Sequence, residues 1–314
     1  MNALPLELHA QIFEFACTDD GTTARSLSLV SRYVRDVSEP YRYQSLSISG
    51  LEQMNELVTR LNVTPHHLRR IRHLFLSDWA HAQVKERVVP CSDDDLDRYE
   101  LEKTAALRII TLAAPTVETL VVVSSCPYTG PSLLGALFST PMPRLAELSV
   151  HGFYPFPQVP RSMPRLERLH LSGHRNPHGL LQLGALDAAC PSLVHLRISG
   201  LVAASSFAEE LRSAVLSQAD DPSLQSSAFR PSLPARLQTV AVEARAPPSR
   251  KGGAPRGLRL MHDKMLASLW ELEGRSDSSC SPAVSVLEME DERDMYSLLK
   301  SGWSDRLATR EALC

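Results

Sequence analysis

Leu145-Ala146-Glu147-Leu148-Ser149-Val150-His151-Gly152 and Leu166-Glu167-Arg168-Leu169-His170-Leu171-Ser172-Gly173 follow one pattern. Each has an apolar residue, two variable ones, then two apolar residues spaced by one variable position. After one more variable residue comes a small or turn-forming one. The alternation is the period of a strand with one buried face. The closing glycine suits a tight turn off that strand. The same register recurs at Tyr43–Gly50, Ile71–Asp78, Val117–Ser124, Leu193–Gly200, Leu237–Ala244 and Val284–Asp291.

Between the copies lie stretches with helical spacing: Leu51–Leu61, Leu101–Leu112, Leu133–Phe138, Leu180–Ala189, Phe207–Leu216 and Met265–Leu272. Strand, turn, helix and strand again make a crossover unit, and such units build a parallel sheet. No unit covers its own apolar face, so the units stack. The fold class expected is α/β. The central positions Leu46, Leu74, Leu120, Leu148, Leu169, Leu196, Val240 and Leu287 are 28, 46, 28, 21, 27, 44 and 47 residues apart. This uneven spacing predicts insertions. Residues 80–100 (with Cys91-Ser92-Asp93-Asp94-Asp95), 219–235 and 245–257 read as surface loops.

The chain of 314 residues is 43% hydrophobic and 22% charged, with a formal net charge of −3. That balance points away from nucleic acid or an anionic membrane as the main partner. No apolar run reaches the length of a membrane span. The start lacks a signal peptide's basic and apolar regions, so a cytoplasmic or nuclear protein is expected. Six scattered cysteines, Cys17, Cys91, Cys126, Cys190, Cys280 and Cys314, show no CxxC spacing. They read as reduced thiols, and neither a metal nor a cofactor is expected.

Residues 1–42 form a separate helical module ahead of the repeats at 43–314. Leu4-Pro5 opens a helix whose Leu8, Ile12 and Phe15 fall at i, i+4 and i+7. Thr18–Thr23 breaks it and supplies caps for the next. Leu27, Leu29, Val30, Val34 and Val37 continue the apolar pattern until Pro40. So few residues hold little core, and such a piece leans on a partner or on the rest of its chain.

The repeats resemble the leucine-rich repeat family, and an irregular solenoid with a curved parallel sheet is the implied fold. Leu4-Pro5-Leu6-Glu7-Leu8 matches the opening of an F-box, and Leu27–Val34 matches its later stretch in part. Ser31 stands where that family often has Cys, and Val34 where Trp is common. The run Pro40-Tyr41-Arg42-Tyr43 is similar to the lead into the first repeat of fungal F-box proteins. The resemblance implies a substrate receptor of an SCF-type ubiquitin ligase. Leu4, Pro5, Leu8, Ile12, Leu27, Val30 and Val34 would then face the Skp adaptor, and the repeats would hold an unknown target protein. A second reading keeps the repeats as an interaction scaffold that does not bind the adaptor.

No GxSxG, HExxH, GxxxxGK[ST] or GxGxxG motif occurs, so no catalytic residue is assigned and a non-enzyme is expected. His170, His174 and His178 are spaced by four but run through Gly173 and Pro177, which breaks any shared helical face. His66 and His67, after Pro65, read as exposed. If the paired aliphatic positions point inward, the intervening residues line an open concave face. It would carry His73, Phe75, Val121, Val123, Glu147, His151, Arg168, His170, His195 and Arg197 as the target-binding surface. Three histidines there would make binding differ between pH 6 and pH 8. Met295, Leu298, Leu299 and Trp303 predict a C-terminal helix capping the last repeat.

Overall fold

A computed structural model describes residues 4–78, 93–219, 231–246, 256–274, 282–288 and 295–311. The architecture is α/β, with eight strands and ten α-helices among these residues. It divides into two compact units, residues 1–129 with 293–314, and residues 130–292.

The first unit opens with α1 (Leu6–Ala16), α2 (Thr22–Val30) and α3 (Arg32–Ser38). Asp19 caps α2 by accepting from the N–H groups of Gly21 at 2.9 Å and Thr23 at 2.8 Å. Ser31 Oγ caps α3 by accepting from Val34 N–H. These bonds satisfy the donors that a helix start leaves open. His9, Phe13 and Cys17, spaced by four, turn inward. His9 Nδ1 lies 2.9 Å from Tyr33 Oη, joining α1 to α3. Arg72 ties this module to the strands, bonding Glu14 on α1 and Glu118 before β3, both at 2.9 Å.

Strands β1 (Ser45–Ser49), β2 (His73–Ser77) and β3 (Thr119–Val123) follow in chain order and run parallel, with Leu46, Leu74 and Leu120 in register. Helix α4 (Leu51–Val63) follows β1, and α5 (Asp93–Ala113) precedes β3. The loop expected at 80–100 thus ends early: α5 begins at Asp93. Three aspartates suit the positive end of a helix, and Arg98 and Glu102 add an i,i+4 pair at 3.1 Å. Residues 79–92 of that stretch lie outside the described residues.

Asp78 joins the turns after β2 and β3. Its carboxylate accepts from the N–H groups of Ser125 at 2.7 Å and Cys126 at 3.2 Å, while Oδ1 has no partner among the described residues. Burial pushes its pKa up to about 6, against the pull of those two bonds. The sign follows from linkage: the unfolded Asp78 ionises near pH 4, the folded one near 6. Stability therefore falls as pH rises through that window and stays lower above it. Asp78→Asn is expected to be more stable than wild type at pH 8, by about 1–3 kcal/mol. The gap should narrow as pH falls and close at about pH 3.5, below the unfolded pKa, in denaturant titrations, and an equal gap at both pH values would refute this account.

The last helix of this unit is α10 (Met295–Glu311). Tyr296, Leu299, Trp303 and Leu307 pack against Phe75, Val121 and Val123 in one buried cluster. The expectation that this helix caps the last repeat is corrected: it covers β2 and β3, strands that lie early in the chain.

The second unit holds α6 (Gly130–Ser139), β4 (Glu147–His151), β5 (Arg168–Ser172), α7 (Ala185–Ala189), β6 (His195–Leu201), α8 (Ser205–Ala219), β7 (Thr239–Ala244), α9 (Arg256–Glu273) and β8 (Ala283–Glu288). The five strands are parallel and in chain order. Leu148, Leu169, Leu196 and Val240 lie side by side as the repeat spacing predicts. The eighth copy is corrected. Val240 pairs with Val284, not Leu287, and Leu287 sits opposite Glu243, 45% exposed. Met289 and Asp291 of that copy lie outside the described residues, as do 220–230 and 247–255 of the two later loops. Helix α9 starts inside the loop expected at 245–257, at Arg256.

Candidate functional site

Two surfaces stand out, one in each unit. The first is the outer side of the N-terminal helices. Helix α1 is apolar over most of its circumference, broken by a stripe of Glu7, Gln11 and Glu14, and that arc is wide enough to ask for a partner on two sides. Its inner side has one in the module core. On its outer side Leu8, Ile12 (49%) and Phe15 are exposed, beside Leu4, Pro5 and Leu6 at the helix start. Helix α2 and its exit add Leu29 (76%), Val30 and Tyr33. Isolated exposed apolar residues are ordinary, but this many on one small module mark a contact surface.

Most of the residues expected to face an adaptor are therefore exposed: Leu4, Pro5, Leu8, Ile12 and Val30. Leu27 is half-buried. Val34 is corrected, for it is 1% exposed and belongs to the core with Phe13 and Ala24. The helical spacing of Val30 and Val34 suggested one shared face. A break in the helix at Ser31, with extended backbone, separates the two. Leu6, Leu29 and Tyr33 were not among the sequence candidates. Apolar residues next to, rather than within, a regular stripe were the available signal.

The second surface is the sheet face of β4–β7 carrying the variable positions of each repeat. A ladder of cross-strand polar pairs covers it. Arg168 donates to Glu147 Oε1 at 2.9 Å, and Arg197 to Glu243 Oε2 at 2.8 Å. His151 Nδ1 lies 3.0 Å from Ser172 Oγ, His170 Nε2 2.7 Å from Ser199 Oγ, and His195 Nδ1 2.7 Å from Thr239 Oγ1. Ser172 spends its only proton on Val150 C=O. His151 Nδ1 must then carry a proton and donate to Ser172. Such pairs hold each side chain in one rotamer, so the face presents fixed guanidinium and imidazole groups.

The first unit differs. His73 is buried and bonded to Thr119 at 2.8 Å. Phe75, Val121 and Val123, expected on an open face, lie under α10. Five of the ten residues assigned to a target surface are thus corrected to buried positions: Phe75, Val121 and Val123 because a helix from far along the chain covers them, and His73 and Glu147, each buried beside a polar partner on the next strand.

His170, His174 and His178 have three separate surroundings. His170 belongs to the ladder. His174 stacks on Phe153 at 4.6 Å, and burial lowers its pKa. His178 meets Glu210 at 3.0 Å, a buried carboxylate that also accepts from the N–H groups of Gly179 and Leu181. His66 and His67 are exposed. Among the described residues no group of three or more His, Cys, Asp or Glu side chains is placed to hold a metal ion. Nor is any described helix long and apolar enough to cross a membrane. Cys17, Cys126 and Cys190 are buried free thiols; burial pushes Cys17 up to about 11 and Cys190 up to about 12. Cys91, Cys280 and Cys314 lie outside the described residues. The chain matches no protein-family model, no curated protein and no solved structure.

Proposed function

We propose that this chain is the substrate-recognition subunit of an SCF-type ubiquitin ligase, built from an F-box-like module and irregular leucine-rich repeats. The exposed apolar side chains of α1 and α2 carry the reading. A module of about forty residues gains little by leaving Leu8, Ile12, Phe15, Leu29 and Val30 in water. Covering them with an adaptor of the Skp type removes that cost. The ladder of β4–β7, with His151, Arg168, His170, His195 and Arg197 outward and the buried Glu147 holding Arg168, is then the surface that holds the target. Such a subunit needs no catalytic group of its own, since ubiquitin is transferred by separate proteins of the ligase.

The test is capture of the purified Skp adaptor by the full chain. An aspartate at the centre of an apolar contact costs about 2–4 kcal/mol, so Ile12→Asp should weaken capture roughly 30- to 1000-fold. Because Ile12 is half in solvent, its thermal unfolding should stay within a degree or two of wild type.

A scaffold without adaptor binding is the second reading, favoured by one observation. Val34 stands where the F-box family often has a tryptophan anchor, and it is buried. Failure of the wild-type chain to capture the adaptor would select this reading.

A further inference from the structure

In the first unit β1 is paired on one side only, with β2. Gln44 C=O accepts from His73 N–H, and Gly50 N–H donates to Ser77 C=O. The backbone groups of Gln44, Leu46, Ile48 and Gly50 therefore point at β2, and alternation turns those of Ser45, Ser47 and Ser49 to the opposite edge. There Gly21 closes over Ser45 C=O, at 3.2 Å from where a Cβ would stand, and Gln53 Oε1 takes Ser49 N–H. The N–H and C=O of Ser47 have no partner among the described residues.

That edge borders a cleft of about 600 Å³ lined by α2, β1, α4 and α10. Leu46 and Ile48 are only half-buried in it, whereas Leu74, Leu76, Leu120 and Val122 in the same register are fully buried. The edge thus lacks both its backbone partner and its apolar cover. Arg25, Arg42 and Lys300 line the cleft and form no ion pair among the described residues. Arg60 is committed to Glu56 and Arg98 to Glu102. Asp20 and Glu52 are the acidic groups left over, and Asp20 is bonded to Thr22. Tyr296 stands on the side of the strand bearing the serine side chains, its Oη 2.8 Å from Ser49 Oγ, and Lys300 lines the cleft one turn later on α10.

The geometry points to a peptide-binding site in which an extended acidic segment of a partner protein adds a strand to the free edge of β1. Main-chain bonds to Ser47 supply the pairing, as in other strand-addition complexes. Alternate apolar residues of the peptide cover Leu46 and Ile48, and carboxylates between them meet Lys300 and the arginines. Five to six residues, about 17–20 Å when extended, match the length of β1. The site does not depend on adaptor binding, and its test involves no adaptor.

The probe is a fluorescein-labelled hexapeptide alternating valine and glutamate, titrated against the full chain and read by anisotropy. Saturable binding is expected. N-methylation of alternate peptide amides should weaken it about tenfold, the worth of a lost backbone bond or two. Ser47→Pro should do the same, since an edge strand tolerates proline where its N–H faces outward. Lys300→Glu, on the half-exposed side of α10, should weaken binding without altering the circular dichroism spectrum. A valine–lysine peptide should not bind. No saturable binding of the glutamate peptide, or equal binding of the N-methylated form, overturns the proposal. So does unchanged affinity in Lys300→Glu, or tighter binding of a single-stranded oligonucleotide than of the peptide.

Discussion

Trp303→Ala is expected to destabilise the first unit by about 3–5 kcal/mol, the usual cost of emptying a fully buried aromatic site. The indole is 1% exposed and its ring lies 5.9 Å from that of Phe75, while Tyr296 meets Phe75 edge-on at 5.3 Å. Losing it opens the cluster that packs α10 on β2 and β3. The variant should also bind an apolar dye, because Phe75, Val121 and Val123 would meet water. Trp303→Phe should recover most of the loss. Its ring keeps much of the packing, and it removes an indole N–H that is buried without a hydrogen-bond partner among the described residues, a donor that costs free energy where it stands. Guanidinium titrations followed by circular dichroism check both. If Trp303→Ala unfolded at the wild-type midpoint, α10 would not be held by this cluster.

Gly173→Ala should be nearly as damaging in the second unit, at about 3–5 kcal/mol. Gly173 has a φ of +95°, and a Cβ there would stand 2.7 Å from Gly152 N and 2.8 Å from Gly152 O. Those atoms are backbone, and Gly152 N–H is itself bonded to Ser172 C=O at 3.0 Å, so neither can withdraw without breaking the turn ladder. Gly200 provides the control. Its φ is +83°, but the nearest backbone atom, Gly173 N, is 3.6 Å away. Gly200→Ala should therefore cost only the left-handed strain, about 1–2 kcal/mol. Thermal melts of the two alanine variants separate the clash from the strain. Equal losses would show that contact with Gly152 contributes nothing.

The strands were legible because the repeats carry two aliphatic residues one position apart, and where polar residues flank them only one register buries both. Leu148, Leu169 and Leu196 follow that rule. Val284-x-Val286 and Leu287-x-Met289 satisfy it equally, and the sequence pattern offers no way to choose between two such pairs three residues apart. Pairing with Val240 and Val242 decides for the first. The position of α10 was not legible for a different reason. Helical spacing of Leu299 and Trp303 says that one side is buried but not against what. Phe75, Val121 and Val123 were the signal: apolar residues at positions that elsewhere carry Ser, His or Arg need a cover. On α1 the stripe of Leu8, Ile12 and Phe15 was legible, but not that it lies outward while His9, Phe13 and Cys17 turn in, and the burial of Val34 depended on a helix break at Ser31.

The bond between Ser49 and Tyr296 joins residues 247 positions apart, and this separation governs how the first unit is completed during synthesis. Strands β2 and β3 leave the ribosome long before α10. At about 5–20 residues per second, the roughly 180 residues between Val123 and Trp303 take about 10–35 s to translate. For that interval Phe75, Val121 and Val123 are an uncovered apolar strip on a nascent chain, a surface that general chaperones capture. A premature stop between β3 and α10 would make that transient exposure permanent and direct the product to quality control even where every strand had paired.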